Sequence, residues 1–194
     1  MRISLVVLIT LGIFTFSAGC GRKVKRIEVE EQHDLSGKWN DTDSRIVSEE
    51  MIKDSLERPW STEFLQKNGQ KPKVIVGTML NKTDEHIISE TFTKDLEKAF
   101  INSGKVDLVA SSTERMEIRA ERIDMQENSS QKTKKEMKNE TAADFMLKGV
   151  VNSIRDKYRK KQIMYYQIDL ELINTETNQK VWIGDKKIKK FIKR

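Results

Sequence analysis

Few residues in this chain carry side chains that do covalent or metal chemistry. Among 194 residues there are one cysteine, Cys20, and two histidines, His33 and His86. A zinc or iron site needs several convergent nitrogen or sulfur ligands. These three residues do not form a cluster, so no metal and no cofactor is expected. Two acidic pairs, Asp41/Asp43 and Asp84/Glu85, have the side chains that glycan hydrolysis uses as acid and base. Each pair stands where a helix is about to begin, and a carboxylate there gains from the positive end of the helix dipole. Gly77 is followed by Thr78 and Met79, and no Gly-x-x-x-x-Gly-Lys phosphate loop occurs. A serine nucleophile would want a glycine-flanked elbow and a histidine base, and neither is present. The chain reads as non-catalytic.

Cys20 is the residue whose surroundings point to a modification. Arg2 supplies a positive start, Ile3 to Phe16 an apolar run, and Ser17-Ala18-Gly19 a small-residue approach to the cysteine. This is the layout of an export signal, and the run is short for a membrane-spanning helix, which needs ~20 residues. The Ser-Ala-Gly-Cys string resembles the lipobox of bacterial lipoproteins, with Ser17 where Leu is commoner. That resemblance implies lipidation of the Cys20 sulfur, cleavage before it, and acylation of the new amino group. Each buried acyl methylene contributes ~0.8 kcal/mol, so two or more chains hold a protein stably on a bilayer. The other reading, a secreted protein cut ahead of a free thiol, leaves an exposed reactive group outside the cytoplasm.

Removing residues 1–19 leaves 175 residues (194 minus 19), enough for one domain held by packing, since no second cysteine exists for an intramolecular disulfide. The net charge of +6 suggests an anionic partner: peptidoglycan, anionic lipid or an acidic protein surface. Nucleic acid is not expected in an exported protein.

The elements that must position any contact surface follow from periodicity. Residues 20–36 are polar and charged and read as a tether to a domain over 37–194. A helix is expected over 45–58, capped by Asp43 or Ser44, with Ile46, Val47, Met51, Ile52 and Leu56 on its apolar side and Pro59 as its end. A short helix over 61–67 would turn Phe64 and Leu65 inward and stop at Asn68-Gly69. Val74 to Met79 reads as a buried strand, residues 88–102 as a helix ending at Gly104, and Val106 to Ala110 as a strand. Ser111 and Glu114 have the spacing of a capping box for a helix to about Gln126, with another polar helix over 131–138. Three strands then follow, over 145–154, 163–173 and 180–188. The middle one alternates, with Met164, Tyr166, Ile168, Leu170 and Leu172 against Tyr165, Gln167, Asp169 and Glu171, so one sheet face is wet. The fold class is α/β: a mixed sheet of four to five strands, helices packed on it, and an antiparallel meander at the end.

Basic residues crowd the loop expected at 156–161 and the C-terminus, where lysine on an edge strand also blocks edge-to-edge pairing. Exposed aromatic and arginine side chains favour interfaces, so Arg155, Tyr158, Lys160, Tyr165 and Gln167 are the candidate partner-binding residues. Trp39 and Trp60 read as packing anchors, and Trp182 as half exposed on the face of Tyr165.

Several ordered strings resemble the penicillin-binding-protein activator LpoB family of bacterial lipoproteins. They are residues 35–45 (LSGKWNDTDSR), 74–78 (VIVGT), 81–87 (NKTDEHI), 94–106 (KDLEKAFINSGKV), 143–149 (ADFMLKG), 166–173 (YQIDLELI) and 180–190 (KVWIGDKKIKK). The resemblance implies a fold like the N-terminal domain of TolB and an outer-membrane lipoprotein facing the periplasm. It also implies a partner, a bifunctional class A penicillin-binding protein whose glycan polymerisation and crosslinking it stimulates. Enterobacterial members carry a long tether, whereas residues 20–36 extend at most ~55–60 Å. The alternative is a structural or assembly lipoprotein of the envelope, a secretion component or TolB-like adaptor, on the same fold. The mass of the exported protein is expected to match a chain that starts at an acylated Cys20. Cys20→Ser is expected to abolish the acyl mass, and an unmodified thiol at the mature start would refute the assignment.

Overall fold

Asn40 opens the first helix by satisfying backbone donors that the helix itself cannot. In the computed structural model, which describes residues 24–28, 31, 33–129 and 140–193, its side chain accepts from the Asp43 N–H at 3.0 Å. The Asp43 carboxylate in turn accepts from the Asn40 N–H at 3.0 Å, a reciprocal box. Helix α1 therefore runs Asp41–Glu57, starting a turn earlier than expected, with Asn40 as the cap in place of Asp43 or Ser44. It ends where Arg58, forced out of the helical region by Pro59, turns extended.

The chain divides into two units, Met1–Glu31 and Gln32–Arg194. In the first, the described residues are exposed and carry no regular structure. The signal segment 1–19, Cys20 and the helix expected over 131–138 lie outside the described residues.

In the second unit α1 is followed by α2 (Trp60–Asn68), β1 (Lys73–Asn81), α3 (Ser89–Ser103), β2 (Asp107–Leu108) and α4 (Ser112–Asn128). The meander β3 (Phe145–Tyr158), β4 (Lys161–Asn174) and β5 (Lys180–Lys193) completes it. The sheet order is β2-β1-β3-β4-β5. Strand β1 runs parallel to β2 and β3, and the remaining pairs are antiparallel. This is the mixed sheet with helices that the periodicity implied.

Helices α1 and α3 pack on each other, α1 also on β5 and α3 on β1. The expected inner row of β4 is fully buried: Met164, Tyr166, Ile168, Leu170 and Leu172 are all 0% exposed. Val47, Ile52, Phe92, Leu96 and Phe100 come down on that side from the helices. Burying one such side chain contributes ~1.5–3 kcal/mol, so this layer dominates the stability.

Four expectations are corrected. Leu65 is exposed, because α2 turns only Trp60 and Phe64, one helical turn apart, onto Phe145 at 5.0 and 5.4 Å. Strand β2 is two residues long, not five. The loop expected over 156–161 shrinks to Arg159-Lys160, since Tyr158 pairs with Lys161 and Arg159 takes a left-handed φ of 53°. Both faces of this hairpin lie beyond the helices, so no apolar alternation marks it as strand. Finally, Trp182 is buried and its Nε1 donates to Asp54 Oδ2 at 2.8 Å. A bulge sets Leu172 opposite Trp182 but Ile173 opposite Lys180. The extra residue, Val181, puts the indole on the core side, away from Tyr165.

Gly149 lets β3 and β4 close over the core. A Cβ there would press on the Leu170 side chain and lie 3.0 Å from both the Asp169 carbonyl oxygen and Met79 Sδ. Gly149→Ala is expected to cost ~1–3 kcal/mol by overpacking, read as a lower urea midpoint. An unchanged midpoint would contradict this packing.

Candidate functional site

Two of the four carboxylates that sequence alone offers as acid–base pairs, Asp43 and Glu85, are engaged in holding the segment that leads into α1. Lys190 comes from the inner face of β5, where its side chain is 8% exposed. Its Nζ donates to Asp43 Oδ2 at 2.5 Å, Asp34 Oδ1 at 2.5 Å and the Lys38 carbonyl at 3.1 Å. An ammonium has three N–H bonds, and all three are used. Burial pushes the Asp43 carboxyl above its ordinary range, and the hydrogen bond from Lys190 opposes that rise.

A second node lies on the other side of the same segment. Glu85 accepts from the Trp39 N–H at 3.1 Å and the Tyr166 hydroxyl at 2.7 Å. Burial, with the Glu85 carboxylate as acceptor, raises the Tyr166 hydroxyl far above its ordinary range. Arg155 bonds Asp84 at 2.7 Å and stands 4.0 Å from Glu85. Asp84 and Glu85 thus reach back to β3, β4 and the leading segment. They do not cap α3, whose N-cap Ile88 makes no side-chain bond. Trp39 sits edge-on to Phe92 and Tyr166, at 5.9 and 5.6 Å, a packing anchor as expected.

The opposite sheet face carries the candidate contact residues, and register sets them in rows across β3, β4 and β5. One row is Asn152, Gln167 and Lys187, the next Ile154, Tyr165 and Lys189. Beyond these come Asp156, Ile163 and Phe191, then Tyr158, Lys161 and Lys193. Tyr165 donates to Gln167 Oε1 at 3.2 Å, and Gln167 donates to Asp169 at 2.9 Å. Of the candidates, Tyr165, Gln167 and Tyr158 share this face, and Lys160 sits in the turn. Arg155 departs from the set: it points to the other side, toward Asp84. Ile154 and Phe191, 64% and 62% exposed, also belong to this surface. The period-two pattern of Lys187, Lys189, Phe191 and Lys193 was the signal for the last of these.

Among the described residues, no group of His, Cys, Asp and Glu side chains could hold a metal ion. The arrangement is a sheet with one face buried under helices and one face open to solvent. The chain belongs to the peptidoglycan-synthase activator LpoB family, whose model matches residues 43–188. No curated protein matches it. Among solved structures it is similar to lipoprotein GNA1162 from Neisseria meningitidis, at 11% identity over 62% of this chain and 83% of that one, with a TM-score of 0.39. The LpoB C-terminal domain from Escherichia coli is 16% identical over 67% and 93%, with a TM-score of 0.39. The PelC dodecamer from Paraburkholderia phytofirmans is 16% identical over 62% and 73%, also with a TM-score of 0.39.

Lys190→Met would leave Asp43 buried without its cation. Breaking such a pair from one side costs ~3–5 kcal/mol, so urea unfolding at neutral pH should shift by about that much. With the cation gone, the folded-state Asp43 carboxyl rises further above its unfolded value. The variant's deficit is then full above that raised value and shrinks as pH falls toward the unfolded value near ~3.9. A deficit independent of pH would refute the role of this pair.

Proposed function

We propose that this protein is a non-catalytic, lipid-anchored protein of the outer membrane's periplasmic face that activates a bifunctional class A penicillin-binding protein by contact. The observation that carries the reading is the family match, which runs from the first turn of α1 to β5. The commitment of Asp43, Asp84 and Glu85 to structural bonds supports the non-catalytic part. Acylation at Cys20 supplies the anchor, and residues 1–19 are the segment removed.

Activation by contact requires differential affinity. The module shifts the synthase toward its active arrangement only by as much as it binds that arrangement better. Tyr165 and Gln167 are the proposed contact. They are partly exposed, linked to each other, and carried on a strand whose other face is locked in the core, so the surface is held rigid before binding.

Reach bears on where this happens. The tether read from the sequence, residues 20–36, has seventeen residues and spans at most ~55–60 Å. The synthase must therefore approach the anchoring membrane to that distance plus the width of the domain.

Tyr165→Ala combined with Gln167→Ala is expected to abolish co-purification with the synthase and stimulation of its glycan polymerisation, with the thermal midpoint unchanged. Retained stimulation by the folded double variant would overturn the assignment of the contact.

A further inference from the structure

We propose that the far end of the meander, the Arg159-Lys160 hairpin with the adjoining ends of β4 and β5, docks directly onto an anionic lipid bilayer, independently of any acyl group. Three observations converge on this end of the sheet.

The first is apolar exposure in a cluster. Ile154, Tyr158 and Phe191 are 64%, 69% and 62% exposed. Register sets Phe191 beside Ile163, and Ile154 beside Tyr165, on one face. Single exposed apolar side chains are ordinary, but a contiguous set marks an interaction surface.

The second is uncompensated charge. On β5 most cations nearer the helices are paired: Lys186 with Glu50, Lys187 with Asp185 at 3.0 Å, and Lys190 with Asp43, while Lys189 has no carboxylate partner among the described residues. At the tip, Arg159, Lys160, Lys161 and Lys193 have no carboxylate partner among the described residues, and Arg159 stacks at 5.2 Å on the Tyr158 ring. Asp156 is the one acidic group in the two outermost rows of this face. Long basic side chains beside exposed aliphatic and aromatic groups suit a headgroup layer: the cations meet lipid phosphates while stems and rings enter the acyl boundary.

The third is where the chain comes in. Leu35, Ser36 and Lys38 line a cleft of about 490 Å³ together with Glu85, Arg155, Gln162, Ile192 and Lys193. The segment leading back toward Cys20 therefore joins the domain beside this same tip. A protein partner is a poorer fit for the site. From Ile154 to Lys161 the hairpin is exposed at every residue, a narrow strip with little surface to build the desolvated core that protein interfaces have.

The test uses the chain from residue 20 onward with Cys20→Ser, which cannot be acylated at that position. Sedimentation with vesicles of phosphatidylglycerol and phosphatidylcholine is expected to capture it about tenfold better than phosphatidylcholine alone, an attraction lost at about 0.5 M salt. Lys160→Glu with Lys161→Glu and Lys193→Glu should remove that preference, and Phe191→Ser should weaken capture. Both variants should keep the wild-type unfolding midpoint. Equal capture by neutral vesicles, no capture, or binding to peptidoglycan sacculi in place of vesicles would overturn the proposal. Tyr165→Ala with Gln167→Ala should still bind vesicles, which separates failure of this surface from failure of the synthase contact.

Discussion

A five-stranded sheet has two faces, and in this protein the α1–α3 pair is laid on one of them. The other face of the meander stays open to water over its length. That asymmetry dictates the alternation along β4, where every second side chain is withdrawn from solvent. It also dictates what the open face can carry. Residues there are freed from packing but held by strands whose inner side chains are locked, so they are displayed at fixed spacing without an entropic cost of ordering at the moment of contact.

The leading segment is joined to this layer by charge. Lys190 stands on the inner side of β5, an apolar position by pattern, and a lone ammonium there would be costly. Asp43, Asp34 and the Lys38 carbonyl complete its hydrogen bonds. Such a group adds little net stability over an apolar substitute but makes the alternatives poor. The segment before α1 has one seat, because only there is the lysine satisfied. Glu85 and Tyr166 form the second restraint on Trp39.

Order along the meander grades its chemistry. Near β1 the open face mixes Met146, Val150 and Ile173 with the charged pair Lys148 and Glu171. In the middle it is polar, with Gln167, Asp169 and Asp185. At the tip it turns basic and aromatic. The proposed contacts with a protein and with a headgroup layer call for different surfaces, and they fall on different parts of this one face.

Much of this was legible from residue order. Alternation across residues 164–172 assigned both faces of β4, Gly69 and Gly104 marked helix ends at left-handed φ, and the spacing of Ser111 and Glu114 marked the α4 cap. These are local or short-period signals, and a chain encodes them wherever it folds. What tertiary structure alone decided were partnerships between distant residues. Nothing in the order of residues says that Lys190 will be buried on Asp43, that Arg155 will turn to Asp84, or that one bulge at Val181 will carry Trp182 into the core. Strand parity flips with a single inserted residue, and an ion pair depends on which elements become neighbours. Both are settled by how the sheet assembles.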